Sequence, residues 1–135
     1  MSEWNKRIIE EFRENRGKVG RHFEGKTLIL LHTTGAKSGL ERINPLACIK
    51  DGDRFVVIAS KGGADTHPDW YHNIVANPSV SFEFGTETYK ASATVAEEPE
   101  RTRLYDKMVE MMAGFDEYRK KAARVIPVII LTPLK

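Results

Sequence analysis

The spacing of apolar residues at the start of the chain is helical. Apolar positions recur at intervals of three and four in residues 2–16, which predicts an amphipathic helix. The apolar stripe of this helix is formed by Trp4, Ile8, Ile9 and Phe12. Ser2 is the expected N-cap and Gly17 the expected end of the helix. A connection rich in glycine and charge follows and extends to residue 26.

From Thr27 onward the pattern changes to apolar or alternating runs that predict strands. Three such runs, joined by short turns, are expected to form a meander, and they cover residues 27–34, 41–50 and 53–60. Proline lacks the N–H that a central strand needs, so Pro45 predicts an edge or a bulge in the second run.

The second half of the chain adds a hairpin, further helices and a last strand. The hairpin turns at Gly85-Thr86, and the last strand lies in VIPVIILTP, which makes about six strands in all. Helical spacing follows Pro68 and returns between about Glu98 and Met112, and FDEYRKKAAR is a further short helical segment. Strands joined mostly by tight turns predict an antiparallel barrel of the α+β class. We expect residues 1–26 to form the helix and connection, and 27–135 the barrel.

Composition narrows the class of protein. The 135 residues include 21 Lys and Arg against 19 Asp and Glu, so a generic nucleic-acid binder is not indicated. Cys48 is the single cysteine, which excludes an internal disulfide and a cysteine-based metal cluster. The apolar runs are far shorter than the roughly 18 residues of a membrane span. No export leader is evident, so we expect a cytoplasmic protein.

Two glycine-rich segments carry the candidate chemistry. TTGAKSGLER and ASKGGADTHPDWYHN each follow a strand and combine glycine, lysine and a small hydroxyl residue. In a meander both would lie at the same end of the sheet, where backbone N–H groups and cations form a cradle for an anion. The helix that follows Pro68 would add its N-terminal dipole, and Trp70 and Tyr71 would add flat surfaces for a ring. This combination suits an aromatic, phosphate-bearing cofactor.

Plainer interpretations remain open for each of these features. Lysine and arginine on a turn also serve solubility. Trp70 is equally well explained as a core anchor, and Asn73 as a surface amide.

The familiar catalytic patterns are absent from the sequence. The four histidines lack the spacing that holds zinc, and Ser60, His67 and Asp69 are not accompanied by a nucleophile elbow. The glycines spell neither a dinucleotide fingerprint nor a P-loop. Any redox chemistry would therefore come from a bound cofactor.

The segments TTGAKSGLERINPL and ASKGGADTHPDWYHNIVANP resemble the deazaflavin-dependent nitroreductase family, whose members use coenzyme F420, an 8-hydroxy-5-deazaflavin. The resemblance implies a split β-barrel related to FMN-binding proteins. It also implies hydride transfer from reduced F420 to a small electron acceptor, with quinones expected and nitroaromatics as further substrates.

Site residues follow from the same resemblance. The cofactor's phosphate and acidic tail would contact Lys37, Arg42, Ile43, Asn44, Pro45 and Leu46. The deazaflavin and phosphate region would be lined by Ser60, Lys61, Gly62 and Gly63 and closed by Asp69, Trp70, Tyr71, His72 and Asn73. The acceptor would meet Phe115 and Tyr118, and the candidate catalytic residues are Ser60 and Tyr118. The chain departs from the family pattern at Ala36, where many relatives are basic, and at Phe115, where some nitroreductases carry tyrosine.

Several alternatives remain open at this stage. A barrel with a phosphate cradle could hold FMN or haem, or could carry the deazaflavin without turnover. The oligoglutamate tail would call for further cations, for which Lys18, Arg21 and Lys26 are candidates. Basic residues flank the first helix, which would suit peripheral contact with an anionic membrane, while docking on its own barrel is the simpler role. The oligomeric state is not predicted.

Overall fold

The computed structural model describes residues 3–20 and 26–134. Its helices are α1 (Glu3–Glu14), α2 (Asp69–Ala76), α3 (Glu100–Met111) and α4 (Gly114–Lys121), and a short 3-10 turn spans Lys61–Gly63. Its strands are β1 (Leu28–Thr34), β2 (Glu41–Ala47), β3 (Ile49–Asp51), β4 (Arg54–Ile58), β5 (Ser79–Phe84), β6 (Glu87–Val95) and β7 (Val128–Pro133). The predicted elements are therefore present. Ser2 and Arg21 lie outside the described residues.

All seven of these strands belong to one antiparallel sheet in the order β2-β1-β5-β6-β7-β4-β3. The two edge strands, β2 and β3, are separated in the chain by Cys48 alone. The edges must therefore lie side by side, so the sheet is curled into a split barrel. The α+β split-barrel prediction is confirmed.

The predicted meander was wrong in one respect. Residues 41–50 do not form one strand that pairs with both neighbours, because β2 pairs with β1 whereas β3 pairs with β4. A straight strand cannot serve both edges of a curled sheet, so this run bends at Cys48. Pro45 lies opposite Leu30 in the edge strand β2, where its missing N–H costs no sheet hydrogen bond.

The continuously apolar strands are buried on both faces. In β1, Ile29 and Leu31 belong to the barrel interior, while Leu28 and Leu30 pack against Phe12 of α1. The strands β4 and β7 divide in the same way between the barrel interior and an outer cluster beneath α3 and α4. Because side chains alternate across a strand, the apolar stretches 28–31, 55–58 and 128–131 are buried on both faces.

The first helix packs on the barrel and ends where the sequence predicts. Ile8, Ile9 and Phe12 are buried, but Trp4, which was expected on the same stripe, is 48% exposed. Gly17 donates its N–H to the carbonyl of Phe12 over 2.7 Å with a positive φ of 93°, a conformation that glycine adopts at least cost. None of the helices among the described residues is long and apolar enough to span a membrane.

Candidate functional site

A cleft of about 570 Å³ opens beside the edge strand β2. It is bounded by the turn after β1, by the start of β2, by the first turns of α2 and by α1. Its lining residues are Asn5, Gly35, Ala36, Lys37, Ser38, Glu41, Arg42, Ile43, Asn44, Asp69, Trp70, His72 and Asn73. A cleft of this size is within the range of small-molecule and cofactor sites.

The turn between β1 and β2, residues 35–40, is called the first loop. It closes on itself because Gly35 donates to the carbonyl of Leu40 over 2.8 Å and Gly39 donates to the carbonyl of Gly35 over 2.9 Å. A Cβ on Gly35 would lie 2.5 Å from Ser38 Oγ and 3.2 Å from the carbonyl oxygen of Leu40, so a side chain at that position would require Ser38 to rotate and the turn to widen slightly. The tight turn leaves Lys37 and Ser38 exposed on the wall of the cleft.

Asn73 of α2 ties the first loop to the helix. Its Oδ1 accepts the backbone N–H of Ala36 over 2.9 Å, and its Nδ2 donates to Thr33 Oγ1 over 3.1 Å. The side chain is 7% exposed, so the interpretation of Asn73 as a surface amide was wrong. Since its amide is occupied on both sides, Asn73 shapes the wall of the cleft through the backbone at Ala36.

The charges at the cleft favour an anionic ligand. Lys37 and Arg42 are exposed, and neither forms an ion pair with a carboxylate of the described residues. Of the two carboxylates on the wall, Glu41 lies 3.5 Å from His32 Nδ1, and Asp69 stands in the first turn of α2. Two cations without a carboxylate partner, next to a glycine turn, form a site for phosphate or carboxylate groups.

His32 lies at the centre of a separate polar group behind the first loop. Its Nε2 is 2.6 Å from Glu83 Oε2, and Glu83 also accepts two hydrogen bonds from Arg13 of α1. The hydrogen bonds from Arg13, followed by that from His32, hold the pKa of Glu83 below its usual range. His32 is thus a hydrogen-bonded residue of the sheet, and the group joins α1 to the sheet.

The segment from Ala59 to Pro68, called the second loop, begins with an uncommon backbone conformation. Lys61, Gly62 and Gly63 have positive φ angles of 48°, 64° and 85°. A Cβ on Gly63 would lie 3.2 Å from the Cα and the carbonyl oxygen of Tyr118, so this glycine allows α4 to pack directly on the loop. The Lys61 ammonium donates to Thr66 Oγ1 over 3.2 Å and forms no ion pair within the described chain.

Arg124, which follows α4, holds the second loop from outside. Its guanidinium donates to the carbonyls of Ala59, Ser60 and Ala64 over 3.0–3.1 Å. A fourth bond of 3.0 Å reaches His67 Nδ1, and since arginine can only donate, the His67 proton is on Nε2. Burial, followed by the charge of Arg124, lowers the pKa of His67 and keeps the ring neutral.

The first two turns of α2 present aromatic and imidazole rings. Trp70 is 5% exposed and packs in the barrel interior while one side of it reaches the cleft wall, so it is both core anchor and lining residue. Tyr71 is half-buried with its ring centroid 4.5 Å from that of His67. His72 is exposed on the cleft, 5.9 Å from the His67 ring.

The two aromatic residues of α4 have different environments. Phe115 is 8% exposed, and its carbonyl accepts the hydrogen bond of the buried Tyr105 hydroxyl over 2.7 Å. Tyr118 is half-buried, with its ring 5.2 Å from that of Phe115 and its backbone against Gly63. Tyr118 is thus the more accessible of the two beside the second loop.

The structure brings together eight of the seventeen site residues expected from the sequence. Cleft-lining residues among them are Lys37, Arg42, Ile43, Asn44, Asp69, Trp70, His72 and Asn73. Those not on the cleft wall are Pro45, Leu46, Ser60, Lys61, Gly62, Gly63, Tyr71, Phe115 and Tyr118, which lie in β2, in the second loop, on α2 and on α4.

Two residues of the site carry no signal in the sequence. Asn5 of α1 lines the cleft, and Arg124 organises the second loop from 57 to 65 residues away. Neither belongs to a glycine-rich segment, and neither stands out by its spacing. Lys26, considered for the acidic tail, donates to the carbonyl of Met111 at the end of α3 over 2.6 Å.

Comparisons with known proteins agree with this geometry. Residues 4–133 match the family model described as F420H(2)-dependent quinone reductase. An F420H(2)-dependent quinone reductase of Mycobacterium tuberculosis is 36% identical over 125 residues, which cover 90% of this chain and 84% of that protein.

The chain is also similar to solved structures. One is an F420-H2 dependent reductase with 39% identity and a TM-score of 0.72, and the match covers 77% of this chain and 92% of that one. A second, described as a domain-swapped dimer, has 32% identity and a TM-score of 0.74, and the match covers 93% of this chain and 94% of that one.

Proposed function

The chain belongs to the family of F420H(2)-dependent quinone reductases, and on this basis we propose that it transfers a hydride from reduced coenzyme F420 to a quinone. The observation that carries the proposal is the cleft beside β2, in which Lys37 and Arg42 stand next to a closed glycine turn. The family membership identifies the cofactor, and the cleft provides surroundings that suit its anionic part.

The described residues fit the chemistry of the deazaflavin. Its phosphate and glutamate carboxylates require cations and N–H donors, and the cleft presents Lys37, Arg42 and the first loop. Its flat ring requires an apolar or aromatic surface, which Trp70 would provide from the cleft wall. We assign the tail to Lys37 and Arg42 rather than to Lys26, because the Lys26 ammonium is bonded at the end of α3.

The protein's part in the reaction is to bind and orient. When bound, F420 in its reduced form supplies the hydride. Lys37 and Arg42 would hold the anionic part, and the backbone of the first loop would approach its phosphate. Ser60 and Lys61, at the start of the second loop, would border the ring, and Tyr71 and His72 would close the site from α2. Fixed placement of donor and acceptor is the main contribution that such a site makes to the rate.

We place the acceptor on the side of α4. Tyr118 is half-buried against the second loop, whereas Phe115 lies beneath it in the core. Tyr118 would therefore contact the acceptor, and Phe115 would support it. Nitroaromatic compounds are proposed as further substrates, because they are flat like quinones and would meet the same Tyr118 ring.

A spectral titration of the purified protein with oxidised F420 tests the proposal. We expect much tighter binding than for FMN, affinity that rises with the number of glutamates, and loss of that gain at high salt because exposed charges are screened. Lys37→Ala combined with Arg42→Ala should weaken binding about a hundredfold, since charge-assisted hydrogen bonds contribute about 1.5–3 kcal/mol each.

The control for this titration removes the same charge elsewhere. Lys90→Ala combined with Lys120→Ala changes two exposed cations outside the cleft and should leave F420 affinity unchanged. Tight FMN binding without any response to F420 would overturn the assignment. Binding of reduced F420 without oxidation by a quinone would identify a carrier and not an enzyme.

A further inference from the structure

The four hydrogen bonds described for the Arg124 guanidinium all go to the second loop. Its bonds reach the first residues of the loop, Ala59 and Ser60, then Ala64, and finally His67 next to the N-cap of α2. One guanidinium therefore fixes both ends of the segment that carries Lys61. The planar fork of arginine suits this task because its donors are held in a rigid arrangement.

Lys61 needs such support. With a φ of 48° it occupies the left-handed region, which is unfavourable for a residue that has a Cβ. A residue is held in this conformation only where the surrounding structure imposes it. The two glycines that follow are also left-handed, so the turn itself supplies little rigidity.

We propose that Arg124 is a positioning residue for Lys61, holding the left-handed turn from which the Lys61 ammonium, 3.2 Å from Thr66 Oγ1 in this structure, would turn to the anionic cofactor. The proposal rests on the proposed function, since it takes F420 as the ligand. Arg124 itself does not touch the ligand. It acts by satisfying three carbonyls that would otherwise turn toward water and release the strained turn.

Other contacts at the loop do not involve the Arg124 side chain. Asp65 Oδ1 accepts the N–H of Ala123 over 2.9 Å, and Gly63 packs against the backbone of Tyr118. The loop of an Arg124 variant should therefore remain docked at its middle while its start, at Ser60 and Lys61, becomes mobile. This separates loss of positioning from loss of folding.

A double-mutant cycle on F420 affinity tests the proposal. Lys61→Met removes the ammonium but keeps the stem, and we expect it to weaken binding about tenfold. Arg124→Met should weaken binding by a similar factor. The double variant should bind no more weakly than the weaker of the two single variants, because both substitutions remove the same contact. Arg124→Met should also reduce the salt dependence of binding as much as Lys61→Met does. The matched control is Arg119→Met, since Arg119 pairs with Asp106 and Asp116 and makes no recorded contact with the second loop.

A second readout is independent of the cofactor. Amide hydrogen exchange at residues 60–64 of the protein alone should be faster in Arg124→Met than in Arg119→Met. If Arg124→Met does not fold, Arg124→Lys replaces it, because lysine keeps the charge but cannot bridge four acceptors. The proposal would be overturned if the folded Arg124 variant bound F420 as tightly as the parent. It would also be overturned if the fold-losses in affinity of Arg124→Met and Lys61→Met multiplied in the double variant. Failure of the parent to bind F420 would instead overturn the proposed function.

Discussion

At the scale of single residues, Asn73 connects the fold to the site. Its amide joins the backbone of Ala36 to Thr33, so it shapes the first loop without needing to touch a ligand. Asn73→Leu keeps the volume but leaves the Ala36 N–H without its partner. We expect F420 affinity to fall about tenfold and the free energy of unfolding to fall by about 1–3 kcal/mol, as measured by titration and urea denaturation.

The same substitution at Asn77 provides the control for Asn73. Asn77 caps the C-terminus of α2 and is exposed, and its recorded hydrogen bond is made by its backbone. Asn77→Leu should leave F420 affinity unchanged. If Asn73→Leu lost stability but bound F420 like the parent, Asn73 would serve the fold alone.

Tyr118 is the residue at which acceptor preference should be decided. Tyr118→Ala removes an aromatic surface beside the second loop, so we expect slower turnover or an altered order of preference among quinones, with F420 affinity close to normal. Tyr118→Phe keeps the ring and should retain the preference of the parent. Steady-state kinetics with several quinones and a parallel F420 titration measure both effects. Joint loss of turnover and F420 binding would indicate a structural tyrosine.

At the scale of elements, α1 is part of the barrel's outer layer. Phe12 is 1% exposed among Ile8, Leu28 and Leu30, whereas Trp4 is 48% exposed. Phe12→Ala should lower the free energy of unfolding by about 3–5 kcal/mol, because it leaves a cavity in a packed cluster. Trp4→Ala, the comparison on the same helix, should change it less, because about half of that side chain is already exposed to water. Chemical denaturation measures both.

The same helix bears on contact with membranes. Its apolar face is turned to the barrel, so we infer that α1 covers the sheet and lines the cleft through Asn5 rather than resting on lipid. In co-sedimentation with anionic vesicles, the full chain and Trp4→Ala should both remain in the supernatant. If the full chain sedimented with the vesicles and Trp4→Ala did not, α1 would have a peripheral membrane role.

The division of the chain near residue 26 stays a prediction.

At the scale of the whole molecule, one ionic group ties the end of the sheet to the helical layer. Asp51, at the end of β3, accepts hydrogen bonds from Arg54 of β4 and from Arg103 and Lys107 of α3. Hydrogen bonds from Arg103 and Arg54 hold the pKa of Asp51 well below its usual range. Since the pKa is lower in the folded than in the unfolded chain, the stabilisation is complete above the unfolded pKa of about 4 and is lost as the pH falls below it.

Asp51→Asn tests this dependence on pH. The substitution should lower stability at pH 7 and reduce the loss of stability between about pH 5 and pH 2, as measured by denaturation across that range. Asp53→Asn, in the same turn but exposed and outside the recorded ion pairs, is the control and should follow the parent. An unchanged acid profile in Asp51→Asn would assign acid sensitivity to other carboxylates, of which Glu83 is the first candidate.

The order and type of the elements could be predicted from the sequence because they depend on neighbours in the chain. Spacing of three and four specified α1 and α3, and Gly85-Thr86 between alternating runs specified the β5-β6 hairpin. The glycines and cations of the first loop likewise indicated an anion site. These are local properties, set by backbone preference and by which side of an element is apolar.

Only the tertiary structure decided how these parts meet. The bend at Cys48 arises because a curled sheet must close, and although Pro45 indicated an edge or a bulge in this run, no local pattern indicates the change of pairing partner. Asn73 was open to interpretation as a surface amide until α2 was placed against β1. Asn5 and Arg124 reach the site across long stretches of chain, and a single side chain contributes nothing to periodicity. The sequence determined what each segment is and which chemistry it can offer, whereas the partners of each polar group depend on contacts between distant residues, which no local pattern encodes.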